Sequence, residues 1–473
     1  MDSPRRWSRP VLVTAFATAL VLVASAFTTR PSSGTPSTWD KRVLPMVRFD
    51  AKYKKIAFKH PVPIQFLSDK AFRKAVTTDV TKLSASDKRD LKNATALLRA
   101  FGLIKPTVDL LKAENDLQGS SVLAFYDPKT QVVKVRGTKL DVDKDVTLAH
   151  ELTHALQDQN FDITKLEDTA RKDHRFDSLQ ALVEGDAVDT QYAYLATLSK
   201  ADQRAYDKAS QAGAPDASKL QDVPDFLQIS EKSPYDLGPI FVNVLREVGG
   251  EKKVNAAYVR PPTDTSQLVY PERYLAKHDA AKVANPPVPK GAKVVDHDTF
   301  GYLDLYLLLA THADAHAAFD AASGWDGDSL VTYKEAKTGR VCGRAEFHGR
   351  TAAATSTLST ALTAWAGTAP AGSATVGATK NGDVLLTSCD PGDAPQAASN
   401  SLPQAYAVPV VRAALFGDLI KGTIPAATAG CITDKVIAAT SIADINDPTH
   451  ASWNDPAFAD TVRGDAQACA ASG

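Results

Sequence analysis

Apolar residues recur along this chain at two spacings, and the switches between them mark its elements. Residues 63–67 read as a strand. Leu91, Thr95, Leu98 and Phe101 then share one helical face, with Ser86 as the expected cap and Gly102 as the terminator. Residues 122–126 and 131–135 are two strand-like runs about Asp127-Pro128-Lys129-Thr130, a hairpin that Gly137 ends. Asp141 or Asp143 can cap a helix through Gln159, with Asp145 in its first turn and Asn160 as the stop. A second helix, from about 171 to 198, carries Leu179, Leu182, Val183 and Ala187.

Further along, residues 239–248 form a helix closed by Gly249-Gly250, and residues 302–322 another stopped by Gly324. Residues 344–350, 351–366 and 383–388 predict strand, helix, strand, a small α+β module. The final segment, rich in Ala, Asp, Thr and Pro, has weak periodicity, and no internal repeat is visible. The expected fold class is α+β. The expected organisation is an N-terminal segment 1–28, a linker 29–40, a main domain 41–290, the α+β module 291–395 and a C-terminal segment 396–473.

Charge and composition narrow the possibilities. With 473 residues, 44% hydrophobic and 23% charged, the chain has the make-up of a folded protein. Its 54 Lys plus Arg against 55 Asp plus Glu give no reason to expect a nucleic-acid partner. Arg5, Arg6 and Arg9 precede an uncharged run from 11 to 27, and Ala24-Ser25-Ala26 offers a cleavage site. That run is also near the shortest spanning length, so export and membrane anchoring both stand; either puts the body outside the cytoplasm, extracellular or at the cell surface. Cys342, Cys389, Cys431 and Cys469 permit three pairings. Cys342 with Cys389 and Cys431 with Cys469 is the expected set, because each pair brackets one local segment.

The chemistry lies in His150-Glu151-Leu152-Thr153-His154. Two histidines four apart on a helix stand one turn above each other and can reach one ion, and zinc accepts imidazole nitrogen readily. Glu151 points beside such an ion and is the expected general base. A catalytic zinc needs a third protein ligand and an open position. Glu184 sits among Leu182, Val183 and Ala187 on the next helix, where a lone carboxylate is costly to bury without a cation. Asp158 and His174 compete for the same role, Asp158 being better placed to brace a ligand, as is Asp189. Gly185 would let the two ligand helices approach closely.

These residues resemble the gluzincin class of zinc metallopeptidases. More narrowly, the chain is similar to bacterial exported or membrane-anchored neutral zinc metallopeptidases with a His-Glu-Leu-Thr-His-Ala-Leu-Gln-Asp-Gln core. Phe125-Tyr126-Asp127-Pro128, Glu184-Gly185-Asp186-Ala187, Pro234-Tyr235 with Gly238 and Phe241, and Gly324-Trp325-Asp326-Gly327-Asp328 also match, so the resemblance runs from about residue 90 to 390. It implies a zincin-like catalytic region, zinc as cofactor and a peptide or protein substrate. The chain departs from that group at Ser266 and Tyr270, where the group has Glu and His, and at Tyr302 after Gly301, where it has Gly-Glu. Where gluzincins carry a bracing Asp, four residues past the third ligand, this chain has Val188.

Amide hydrolysis also needs a donor to the developing oxyanion. Tyr235 and Tyr270 are the leading candidates, with Tyr274 and His297 behind them. By analogy with zincins, the 131–135 strand would be the edge that an extended substrate joins. Two other functions fit the same residues: a non-catalytic zinc-containing envelope or surface binding protein, and a zinc amidase acting on cell-wall links. His312 and His316, also four apart, lack a Glu after the first His and read as solvated helix residues.

Overall fold

The computed structural model describes residues 36–213, 220–394, 399–422, 424–447 and 456–472. The expected export segment, with its cleavage site, lies outside them. Among the described residues no helix is long and apolar enough to cross a membrane. The fold is α+β, 59% helix with two sheets.

Helix α1 (Leu44–Lys54) leads to strand β1 (Ile64–Leu67). Helix α2 (Ala85–Ala100) is capped by Ser84 rather than Ser86. The Asp87 N–H donates to Ser84 Oγ at 3.1 Å and the Ser84 N–H to the Asp87 carboxylate at 3.0 Å, a reciprocal pair that Ser86 has no partner to form. Strands β2 (Ala124–Asp127) and β3 (Val132–Arg136) make the expected hairpin, and β1 joins β3 in parallel on its other side. The order β1-β3-β2 makes β3 the inner strand. The 131–135 run is therefore not a free edge; β2 is.

Helix α3 (Val142–Phe161), capped by Asp141, lies on this sheet. Its Val146, Leu148, Ala149, Leu152 and Ala155 share one core with Tyr126, Val133 and Val135 of the strands and Met46 of α1. At Asp162 the backbone turns left-handed (φ 57°) and a separate helix, Ile163–Lys172, follows. Helix α4 (Phe176–Thr197) accordingly starts later than residue 171.

Helix α5 (Asp225–Ala257) starts well before Pro239, and only Gly249 and Gly250 leave helical geometry. Pro234 cannot donate to the Ser230 carbonyl, and the Ser233 hydroxyl donates to that oxygen instead at 3.3 Å. Where α4 and α5 cross, a Cβ on Gly185 would lie 2.2 Å from the Gly238 carbonyl carbon, and one on Gly238 2.1 Å from the Ala181 oxygen. Gly185 thus permits close approach, but to α5 and not to the metal helix.

The second sheet is antiparallel throughout: β4 (Lys293–Asp298), β5 (Trp325–Lys334), β6 (Val341–Gly349), β7 (Ala374–Ala378) and β8 (Val384–Cys389), in the order β4-β5-β6-β8-β7. Between β4 and β5 the expected 302–322 helix is two, α6 (Tyr302–Ala310) and α7 (Ala315–Ser323), because the Asp314 side chain caps the second. Helix α8 (Ala352–Thr368) packs on this sheet. Cys342 and Cys389 face each other on β6 and β8 and are disulfide-bonded. Helices α9 (Leu402–Lys421), α10 (Ala426–Ala439) and α11 (Pro456–Ser472), with a short helix Ile442–Asn446 before the last, follow the sheet, and the Cys431–Cys469 disulfide ties α10 to α11. The largest buried cluster takes residues from Ala94 to Ile445, so the core does not divide at residue 290.

Candidate metal centre

One turn of α3 separates His150 from His154, and their Nε2 atoms stand 3.0 Å apart. Helix α4 brings Glu184 Oε2 to 3.2 Å from the first and 3.3 Å from the second. A tetrahedral zinc with bonds of ~2.0–2.1 Å separates its donors by ~3.3 Å. The three distances match the edges of that tetrahedron, so the side chains present fit the ion. Among the described residues one other cluster of possible ligands occurs, Glu335 with Cys342 and Cys389, and its sulfurs are consumed in a disulfide.

The electrostatics agree with a cation site. Burial works against ionised Glu184, yet the two imidazoles beside it hold its carboxyl far below the ordinary range. Burial likewise opposes a charged His154, but Glu184 outweighs it and lifts the imidazole to about 9. Three groups this close stabilise one another only if positive charge stands among them, and an ion supplies it without a proton.

Neighbouring side chains set the orientations. Gln157 Oε1 lies 3.0 Å from His154 Nδ1, which donates to it and leaves Nε2 as the lone-pair donor. The Gln157 amide in turn donates to the Val183 carbonyl at 3.0 Å and to Asp186 at 3.1 Å, tying the His154 helix to the backbone beside Glu184. Asp186 is fully buried and also accepts from Tyr258 at 2.8 Å and from Lys54. Lys54 bridges to Glu251, Glu251 pairs with Arg246 at 3.0 Å, and Arg246 reaches Asp189 at 2.5 Å. Asp189 thus acts at the far end of a chain, through Arg246 and Tyr53, whose hydroxyl donates to it at 3.0 Å. His150 Nδ1 is buried with no hydrogen-bond partner among the described residues, and Val188, at the place of a bracing Asp in gluzincins, is buried.

Glu151 Oε2 accepts the Tyr126 backbone N–H at 2.7 Å. Burial pushes its carboxyl up, against the pull of both histidines. Asp158 accepts from the Tyr126 hydroxyl at 2.8 Å and the Ile163 N–H at 3.2 Å, so it fixes the residue that holds Glu151 rather than a metal ligand.

The tyrosines separate. Tyr235 lies nearly parallel to the His150 ring, centroids 6.3 Å apart, and burial, then the Glu184 charge, pushes its phenol well up. Tyr270 is 4% exposed, hydrogen-bonded to the Tyr302 hydroxyl at 3.1 Å and covered by Arg412 and Arg273, so its polar atom is committed in the core. Tyr274 donates to the Arg260 carbonyl, and His297 is exposed on β4. His174 pairs with Asp298 at 3.0 Å, away from the donors. His312 falls in the break before α7, whereas His316 is within it and contacts the Thr440 carbonyl at 2.8 Å; the two share no helix and His316 is not simply solvated.

Tyr126, Gln157, Lys54, Glu251 and Tyr258 were not anticipated. Gln157 had a signal, one turn past His154 on the ligand face. Lys54 had none in a helix with two other basic residues, Arg48 and Lys52. No protein-family model, no curated protein and no solved structure matches the chain.

Proposed function

We propose that this chain is a zinc-dependent endopeptidase of zincin-like architecture, working outside the cytoplasm, with His150, His154 and Glu184 as ligands. The observation that carries the reading is the set of three donor separations matching a tetrahedron, with a buried carboxylate on the residue beside His150. Zinc held there supplies a Lewis acid that polarises a peptide carbonyl and makes water a nucleophile near neutral pH. Glu151 takes the proton from the attacking water and passes it to the leaving amine. A structural site would need no such base. Its Oε2 is fixed by the Tyr126 N–H, and its Oε1 has no hydrogen-bond partner among the described residues. Tyr235, stacked over His150, is the donor we assign to the developing oxyanion.

Strand β2 supports a peptide as substrate. Side chains and peptide groups alternate along a strand, so Ala124 directs its backbone toward the same edge as Tyr126, where an extended chain can add. Two disulfides suit an oxidising compartment, in keeping with the expected export segment.

The test is a peptide library, with cell-wall fragments included, run on zinc-loaded protein. Glu151→Gln should keep one zinc per chain and lose at least about a thousand-fold in rate, while His154→Ala should lose the metal. Equal inertness of wild type and Glu151→Gln sinks the enzymatic reading; cleavage of the fragments alone turns it into an amidase.

A further inference from the structure

One face of α4, about two turns before Glu184, borders a cavity of about 540 Å³ that the proposed mechanism does not use. Seven aspartates line it, against Arg175, Lys282 and His174. Those cations are engaged or peripheral: Arg175 pairs with Asp173 at 3.0 Å, His174 with Asp298, and Lys282 is exposed at the surface. Asp328 is answered by the Gly301 N–H and the Trp325 indole, both at 2.9 Å, and Asp264 by the Ser266 N–H at 2.9 Å.

Asp279 is paired with Arg260 at 2.7 Å, and two carboxylates are left over. Asp304, at the start of α6, is 6% exposed, lines the cavity and accepts no hydrogen bond from any described residue. Asp177, in the first turn of α4, is half-buried and equally without a donor, and it lies near enough to Asp304 for the two to repel. A buried carboxylate is costly unless a partner answers it, and among the described residues these two have only the helix N-termini they stand on and, for Asp177, the through-space pull of Arg171. A metal ion is a poor fit for the vacancy in the charge pattern. Among the described residues, no three carboxylate oxygens here converge within 4.8 Å of one another, as ligands of one hard cation must. The volume also far exceeds what a bare ion needs.

The position names the occupant. Asp177, Ala181 and Glu184 stand at i, i+4 and i+7 on one face of α4, so about 10 Å of helix separates the cavity's acid from the metal donor. Helix α5 repeats the arrangement, Ser230, Ser233 and Pro234 lining the cavity and Tyr235 covering His150. An extended peptide covers that distance in about three residues. We infer that this cavity is a specificity subsite that takes a cationic side chain, arginine or lysine, of the substrate, held between Asp177 and Asp304. A guanidinium, planar and rich in donors, can reach both carboxylates at once. The inference rests on the peptidase reading only in calling the ligand a peptide.

The test is equilibrium binding of a labelled decapeptide with one central arginine, and of its neutral citrulline counterpart, to zinc-loaded protein stopped by Glu151→Gln. The arginine peptide should bind at least ten-fold tighter, and adding Asp304→Asn or Asp177→Asn should shrink that ratio below about three-fold. Asp177→Asn, at a half-buried position, carries the test if Asp304→Asn does not fold. Equal binding of the two peptides overturns the inference, as does a preference that survives both substitutions. Stoichiometric calcium binding that erases the preference and is lost in Asp177→Asn overturns it in favour of a metal site. Because binding needs no turnover, hydrolysis without the preference rejects the subsite alone, and the preference without hydrolysis rejects the peptidase alone.

Discussion

Two groups of buried acids flank helix α4, and they are treated in opposite ways. On one side Asp186, Glu251 and Asp189 are interleaved with Lys54 and Arg246, each acid meeting a cation from a different element. On the other, Asp177 and Asp304 accept no hydrogen bond and form no ion pair among the described residues, Arg171 reaching Asp177 only through space. Burial alone therefore does not say what a carboxylate is for. The answered group holds the site together, since it reaches His154 through Gln157; the unanswered group is at the wall of a cavity, where a ligand can supply what the fold omits.

Four substitutions would break or sharpen this contrast. Lys54→Met strips the cation from two buried acids at once and should cost about 3–5 kcal/mol, measured by denaturant unfolding; a loss under 1 kcal/mol would mean the network is not what it looks like. Gln157→Ala releases the His154 ring and should weaken zinc about 10- to 100-fold, about 1.4–2.7 kcal/mol, read by competition with a chelator. Asp177→Asn should act with the reverse sign. Burial, then Asp298, lifts the Asp177 carboxyl to about 7, so the native state holds its proton more tightly than the unfolded chain does. Such a group helps fully at acid pH, below the ordinary carboxylate range, and loses its contribution as pH rises through about 7. The variant and wild type should match near pH 4, and the variant should be more stable by about 1–2 kcal/mol at pH 8, after allowing for solvent screening. Thermal melts at both values check this. The smallest effect is expected from Tyr53→Phe, which removes one hydrogen bond at the far end of the relay, about 0.5–1 kcal/mol by unfolding.

The metal donors were legible because a four-residue interval on a helix is a local property, and because Glu184 stood alone in an apolar stretch. Both cysteine pairs were legible for a similar reason, each closing a short local loop. What escaped was decided at a distance. Strand β5 is buried on both faces nearly throughout, so it lacks the alternation that marks a half-exposed strand, and its Trp-Asp-Gly-Asp start reads as a turn. Strand β4 is half exposed and mostly polar. The order that put β2 rather than β3 at the edge depends on β1, more than fifty residues upstream. Tyr270 stands where the resembling group has a His, yet Arg412, far along the chain, encloses it. The Asp186 relay needed α1 and α5 to meet, and no interval in the sequence announces that meeting.

The crossing of α4 and α5 at Gly185 and Gly238 has a further consequence. Glu184 precedes one of these glycines and Tyr235 stands three residues before the other, so both groups sit next to a place where two backbones touch. Sliding or twisting there would meet hard atoms within a fraction of an ångström. A ligand that enters here therefore meets α4 and α5 as one unyielding wall, and any adjustment to it falls on the other elements around the site.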